Sequence, residues 1–173
     1  LEEWTPETGT PQGAVISPLL SNIYLHPLDL QMRQNGFHMV RYADDQVVLC
    51  KTREEAESAL DLVREWMSSA GLTLHPVKTR LVDMAERGGF DFLGYHFEFR
   101  SKWPRAKSLM KFKDAVRSRT PKSNGSSLEE VIARLNPLLR GWFEYFKHGV
   151  KGTFRALDCW IRRRLRNMLR RRL

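Results

Sequence analysis

The sequence predicts an α/β (α+β) fold in which a mixed part reaches to about residue 100 and an all-helical part follows. Three observations lead there. Apolar residues recur at helical spacing in several separate stretches. Between the first of these stretches stand β-prone runs bounded by turn residues. The charge also divides: residues 1–99 carry 8 Lys/Arg against 15 Asp/Glu, a net of −7, while residues 100–173 carry 21 against 5, a net of +16.

Taken in order, Ser17-Pro18 reads as an N-cap followed by proline at the first helical position. Leu19, Leu20, Ile23, Tyr24 and Leu28 then mark the inward face of a helix to about Gln34, closed by Gly36. Residues 38–43 and 46–51 are β-prone and separated by Asp44-Asp45, the arithmetic of a hairpin whose apolar flanks should be buried. Thr52 and Glu55 form a capping box for a helix with Ala56, Ala59, Leu60, Val63 and Met67 on one face, closed by Gly71. Short strands are expected at residues 81–84 and 90–99. Beyond Arg100 comes a basic stretch with Leu109, Phe112 and Val116 as its few apolar residues, then a polar loop over 121–127. Ser127 and Glu130 cap another helix, with Leu128, Val131, Ile132 and Leu135 inward, which Pro137 should break or kink. A second run then carries Leu138, Trp142, Phe143 and Phe146. The final helix sets Leu157, Trp160, Ile161, Leu165, Met168 and Leu169 against a face of arginines.

A chain of 173 residues with 42% hydrophobic content can bury a core in one domain or two small ones. No apolar run approaches the ~18 residues that span a bilayer, so no membrane role is expected. Cys50 and Cys159 lack metal-site or disulfide spacing and suit a reducing cytoplasm. The first residue is Leu1 and no leader pattern follows, so the chain reads as beginning mid-protein or mid-domain. A net of +16 over the second part exceeds what solubility asks for and points to nucleic acid. Arg162, Arg163, Arg164, Arg166 and Arg170 share the terminal helix with Arg171 and Arg172, a density that a merely solvated face hardly explains. Trp142, Tyr145 and Phe146 offer stacking faces for RNA bases, although helical spacing assigns Trp142 and Phe146 to the core.

The chemistry centres on Arg41-Tyr42-Ala43-Asp44-Asp45-Gln46. Nucleotide-joining enzymes use two Mg²⁺ ions ~3.5–4 Å apart, and hard cations take carboxylate oxygens. Two acids at a hairpin tip would hold such oxygens on a rigid element, and the small Ala43 leaves room beside them. Asp-Asp in an exposed turn is also often only solvated, and these letters alone leave both readings open. Thr10-Pro11-Gln12-Gly13 is a glycine-bearing turn that allows close backbone approach to a flat ligand. Read by itself it is as well explained as a plain exposed turn.

In order along the chain, TPQGAVISPLLSNIYLHPLD, RYADD, AGLTLHPVKT and FDFLGYHF resemble the successive palm motifs of retroelement reverse transcriptases. LNPLLRGWFEYFKHG and FRALDCWIRRRLRNMLRR are similar to the thumb, or maturase-specific region, of group II intron-encoded proteins. Each motif alone is weak, but the ordered set is specific and covers nearly the whole chain.

This resemblance implies a partial right-hand polymerase palm over residues 1–100 and a helical thumb over 101–173. It implies RNA-directed DNA synthesis with Mg²⁺, an RNA template with a DNA primer, deoxynucleoside triphosphates, and binding and splicing of an intron RNA. Asp44 and Asp45 would be the catalytic, metal-holding acids, and Lys78 would sit near the triphosphate. Pro11, Gln12, Gly13, Tyr42 and Ala43 would line the nucleotide and template pocket, and Leu93, Gly94 and Tyr95 the primer grip. Two departures stand out: Ala14 replaces a second glycine, and the third carboxylate of the family belongs to a strand upstream of the PQG turn. Glu2, Glu3 and Glu7 have no strand pattern around them. A palm sheet left incomplete in this way would expose an edge for self-association. The competing expectation is an RNA-binding maturase without polymerase activity.

Overall fold

A computed structural model describes residues 15–121 and 125–170. Within them the chain forms five helices and two small antiparallel sheets, a mixed helix-and-sheet architecture as expected. It divides into two compact units, one ending at Leu81 and the other beginning at Val82.

In the first unit, α1 spans Ser17–Gln34. Its N-cap is Ile16, one residue before the expected Ser17, and its first turn contains Pro18, whose missing N–H costs nothing there. Gly36, at φ +80°, ends the helix in a Schellman closure: Phe37 N–H reaches Met32 O at 2.9 Å and Gly36 N–H reaches Arg33 O at 3.0 Å. Strands β1 (His38–Tyr42) and β2 (Asp45–Leu49) pair in register from His38↔Leu49 to Tyr42↔Asp45. Helix α2 (Arg53–Ser69) is capped by Thr52, whose side chain accepts from Glu55 N–H. The Glu55 carboxylate reaches back to Lys51 N–H at 2.7 Å, one residue earlier than a full capping box requires. Gly71 closes this helix with the same Schellman geometry.

The core of this unit is Leu28, Met32, Ala59 and Val63, with Met39, Val48, Phe37 and Trp66 packed around it. Two expectations fail here. Leu19, Leu20, Ile23 and Tyr24 are exposed, Ile23 by 62%, because α1 is apolar on two sides and only the Leu25–Leu28–Met32 side meets α2 and the hairpin. The hairpin is likewise buried on one face only: Met39 and Val48 pack inward, whereas Val40, Tyr42 and Leu49 are exposed. Residues 81–84 form no strand. Asp83 instead starts a turn, its carboxylate accepting from Ala85 N–H at 2.7 Å.

The second unit holds β3 (Phe90–Phe92), β4 (Tyr95–Glu98) and β5 (Ser101–Pro104) in the order β3-β4-β5. The expected strand at 90–99 is therefore two strands, split by a Leu93-Gly94 turn with both residues at positive φ, as a type I′ hairpin demands. Strand β5 lies where only a basic segment was expected. Its pairing with β4 is long enough to end on Pro104, which has no N–H to give a further ladder bond.

Helices α3 (Ala106–Arg119), α4 (Leu128–Phe146) and α5 (Lys151–Arg170) follow. Their core is Phe112, Val116, Val131, Leu135, Leu157 and Met168. Ser127 and Glu130 make a complete capping box. Helix α4 runs on through Pro137 rather than breaking, with Val131 and Leu135 buried before it and Leu138, Leu139 and Trp142 packed after it. Packing on both sides outweighs the single hydrogen bond that proline removes. Ile132 and Leu169, expected inward, are more than a third exposed. The sheet belongs with these helices through an aromatic chain: Phe112 stacks on Trp142 at 4.3 Å, Trp142 meets Phe146 at 4.7 Å, and Phe146 meets Tyr95 at 4.9 Å.

Candidate functional site

Asp44 and Asp45 do not share the turn as the spacing suggested. Because Tyr42 pairs with Asp45, the two-residue turn is Ala43-Asp44, and Asp45 opens β2 on the exposed face beside Tyr42. Ala43 takes φ +54°, a left-handed conformation that a side chain disfavours by ~1–2 kcal/mol.

Arg41 holds this turn in place. The strand alternation points it inward, where its side chain is 10% exposed. Its Nε donates to Asp29 Oδ1 at 2.8 Å and Nη2 to Asp29 Oδ2 at 2.5 Å, the planar fork matching the carboxylate. Nη1 donates to Asn22 Oδ1 and to the Ala43 carbonyl, both at 3.0 Å. One guanidinium thus ties α1 to the residue immediately before Asp44. The Asp29 hydrogen bond raises the Arg41 pKa, burial opposes it, and the Asp29 charge adds to the rise. Sequence reasoning gave Arg41 and Asp29 no role. The available signal was an arginine in phase with Met39 on the buried face of a strand, a position that calls for an acid partner.

The two aspartates are exposed carboxylates. No group of three or more His, Cys, Asp or Glu is placed to hold a metal ion among the described residues. Two Mg²⁺ ions take more oxygen ligands than Asp44 and Asp45 can supply, so the donor set of the described residues does not fit a two-ion centre. Lys78 lies exposed in a turn over 76–78, with no hydrogen bond or ion pair to either aspartate among the described residues. Pro11, Gln12 and Gly13 lie outside the described residues.

In the second unit, Leu93, Gly94 and Tyr95 are fixed by backbone and ring contacts. The Gly94 carbonyl accepts from Arg105 N–H and from Ser108 Oγ, both at 3.0 Å. Gly94 at φ +81° has Ser108 Oγ 3.3 Å and Phe146 3.5 Å from where a Cβ would stand, so a side chain there is both strained and crowded. Tyr95 is buried, and its hydroxyl donates to the Tyr145 carbonyl.

The arginines of α5 divide into groups. Arg163, Arg166 and Arg170 are exposed. Arg162 pairs with Asp158 one turn earlier at 2.9 Å, both side chains well exposed. Arg164 turns inward: Nε donates to Thr120 Oγ1 and Nη2 to the Thr120 carbonyl, each at 2.9 Å, and the guanidinium lies 5.6 Å from the Trp160 ring. It thereby caps the C-terminus of α3, where orphan carbonyls need donors. Burial lowers the Arg164 pKa, with Arg117 adding to the effect. Phe146 is buried and Trp142 half-buried, as helical spacing assigned them, and Tyr145 is exposed.

Comparison with known proteins bears on both units. Residues 2–97 match the family described as reverse transcriptase (RNA-dependent DNA polymerase). Residues 109–173 match the group II intron maturase-specific domain. Maturase-like protein 1 of Euglena gracilis is 25% identical over 144 residues, covering 79% of this chain and 30% of that protein. The chain thus spans about a third of the length of that curated relative.

Proposed function

The chain belongs to the reverse transcriptase family, in its group II intron maturase branch, and from this we propose that it is part of an RNA-directed DNA polymerase that also binds and helps splice its intron RNA. The carrying observation is the hairpin in which Arg41 ties the Ala43-Asp44 turn to α1, with Asp44 in the turn and Asp45 next to it at the start of β2. In this reading residues 1–100 are the later part of the palm and 101–173 the thumb. Asp44 and Asp45 are catalytic metal-holding acids, joined in the parent protein by a third carboxylate from another strand. Pro11, Gln12, Gly13, Tyr42 and Ala43 contact the incoming deoxynucleotide and template, with Lys78 near the triphosphate. Leu93, Gly94 and Tyr95 position the primer end, and exposed arginines of α5 hold RNA phosphates. Magnesium would supply the charge stabilisation of nucleotidyl transfer.

A second reading, an RNA-binding splicing cofactor without polymerase activity, is supported by the match of residues 109–173 to the maturase-specific domain. Neither reading places the protein in a membrane, and no helix among the described residues is long and apolar enough to cross one. Both place it in the cytoplasm, where Cys50 and Cys159 stay reduced.

The two readings part on one experiment. In the full-length protein carrying this chain, Asp44→Ala is expected to abolish primer extension on an RNA template and leave intron RNA retention on a filter nearly unchanged. Residual synthesis above about a hundredth of wild type would remove Asp44 from the catalytic centre, because losing both ions costs several kcal/mol of barrier lowering. A wild-type protein that retains RNA but extends no primer establishes the second reading.

A further inference from the structure

An open cleft of about 450 Å³ lies in the second unit between the β4–β5 turn and the α4–α5 turn. Phe97, Phe99, Arg100, Lys102 and His148 supply the side chains that matter. The two turns are held together by the Val150 N–H, which donates to the Lys102 carbonyl at 3.0 Å, and by Gly149, whose missing side chain lets that carbonyl come within 3.3 Å of where a Cβ would be. Arg100 and His148 have no ion-pair partner among the described residues, and the Lys102 ammonium, likewise without a carboxylate, lies 5.4 Å from the centre of the Tyr95 ring. The cleft is at the far end of β4 from the Leu93-Gly94 turn, and Lys102 reaches back from it over the Tyr95 ring.

Phe99 is the unexpected residue. It is the first residue of a two-residue turn joining Glu98 to Ser101, at φ +50°, where glycine or asparagine is the ordinary choice and a bulky side chain is an outlier. The residue lies outside both buried cores and is 49% exposed. An aromatic kept both strained and exposed at the mouth of a cationic cleft calls for a use outside the fold. An accessible aromatic beside basic side chains is what binds an unpaired nucleotide: the base stacks and the phosphates meet the charges.

We propose that this cleft takes one unpaired nucleotide of a single-stranded RNA, its base against Phe99 and its phosphates on Arg100 and Lys102, with a ring N–H of His148 as a further hydrogen-bond donor. The proposal rests on the RNA-binding reading above and deepens it. A base paired in an A-form helix hides its face, so the cleft distinguishes single strand from duplex, which the arginines of α5 do not.

The test uses the 173-residue chain, a fluorescein-labelled ten-residue oligouridylate and a labelled RNA duplex of matched charge, with affinity read by anisotropy. Phe99→Gly removes the ring and also the strain at φ +50°, so its melting temperature should equal or exceed wild type. Its affinity for oligouridylate should fall about ten-fold, an ordinary loss for one stacked base, with duplex affinity unchanged. Phe99→Trp should restore binding. Arg100→Gln with Lys102→Gln should reduce the salt slope for oligouridylate by about 1.4, at ~0.7 per single-strand contact. Wild-type affinity in Phe99→Gly, or an equal loss on duplex and single strand, overturns the proposal. Should the cleft variants bind normally while Arg162→Gln, Arg163→Gln and Arg166→Gln together weaken binding, the cleft fails and the RNA-binding reading stands. A wild-type chain that binds neither RNA overturns both.

Discussion

Tyr95 and Tyr145 join sheet and helix through two tyrosine hydroxyls. The Tyr95 hydroxyl donates to the Tyr145 carbonyl at 2.5 Å, and the Tyr145 hydroxyl donates to the Leu93 carbonyl at 2.7 Å, with the two rings 5.9 Å apart. The Leu93-Gly94 turn is thereby anchored on α4, and what disturbs this latch should move the turn.

Tyr95→Phe keeps the ring packing and loses one half-buried hydrogen bond, so it should lower the unfolding free energy by about 1 kcal/mol at neutral pH. Burial, and secondarily Tyr145, raise the Tyr95 pKa above its ordinary value of 10. The folded state therefore favours the protonated phenol. Its contribution is complete below pH 10 and is lost as pH rises through the raised folded value. Urea unfolding of wild type and Tyr95→Phe from pH 7 to 11 should show a constant difference up to about pH 10 and a shrinking one above it. A difference that grows above pH 10 would contradict the assignment.

Arg41→Lys should separate charge from geometry. Lysine retains the positive charge but cannot serve Asp29, Asn22 and the Ala43 carbonyl together. An expected loss of about 1–2 kcal/mol should rise to about 3 kcal/mol in Arg41→Ala, which leaves the Asp29 carboxylate without its partner. Denaturant midpoints measure the loss. Amide exchange at Asp44 and Asp45 should quicken in both variants, and unchanged exchange there would mean that the turn does not depend on Arg41.

The arginines of α5 should behave unequally. Replacing Arg162, Arg163 and Arg166 together by Gln is expected to leave the melting temperature nearly unchanged and to flatten the salt slope for single-stranded RNA by roughly two, at ~0.7 per contact. Arg164→Gln should instead lower the melting temperature, because Thr120 loses two donors at the end of α3. Equal stability of the two variants would argue against the inward placement of Arg164.

The 173-residue chain by itself is expected not to polymerise DNA. Asp44 and Asp45 are too few ligands for two ions, and adjacent carboxylates repel without a facing acid strand to fix the metal geometry. The purified chain would be assayed on a primed RNA template with Mg²⁺ and then Mn²⁺, beside the full-length protein. Template-dependent extension that disappears in Asp44→Ala would reverse this expectation and place a third acid elsewhere, for instance on a second copy paired through an open hairpin edge.

Local rules made much of this protein legible from its residues. The two Schellman closures at Gly36 and Gly71 and the capping box at Ser127 and Glu130 each depend on side chains or φ values within a few positions. The hairpin that carries Asp44 and Asp45 was readable too, short by one residue in where its turn falls. The charge division and the ordered motifs were enough to identify the family. Tertiary structure alone decided which partner each element meets. Arg41 finds Asp29 12 residues back, and Arg164 finds Thr120 44 residues back. Helix α1 hides Leu28 rather than Ile23, and α4 passes through Pro137 because apolar neighbours cover both its halves. These choices come from packing and desolvation between distant segments, which no spacing within one segment records.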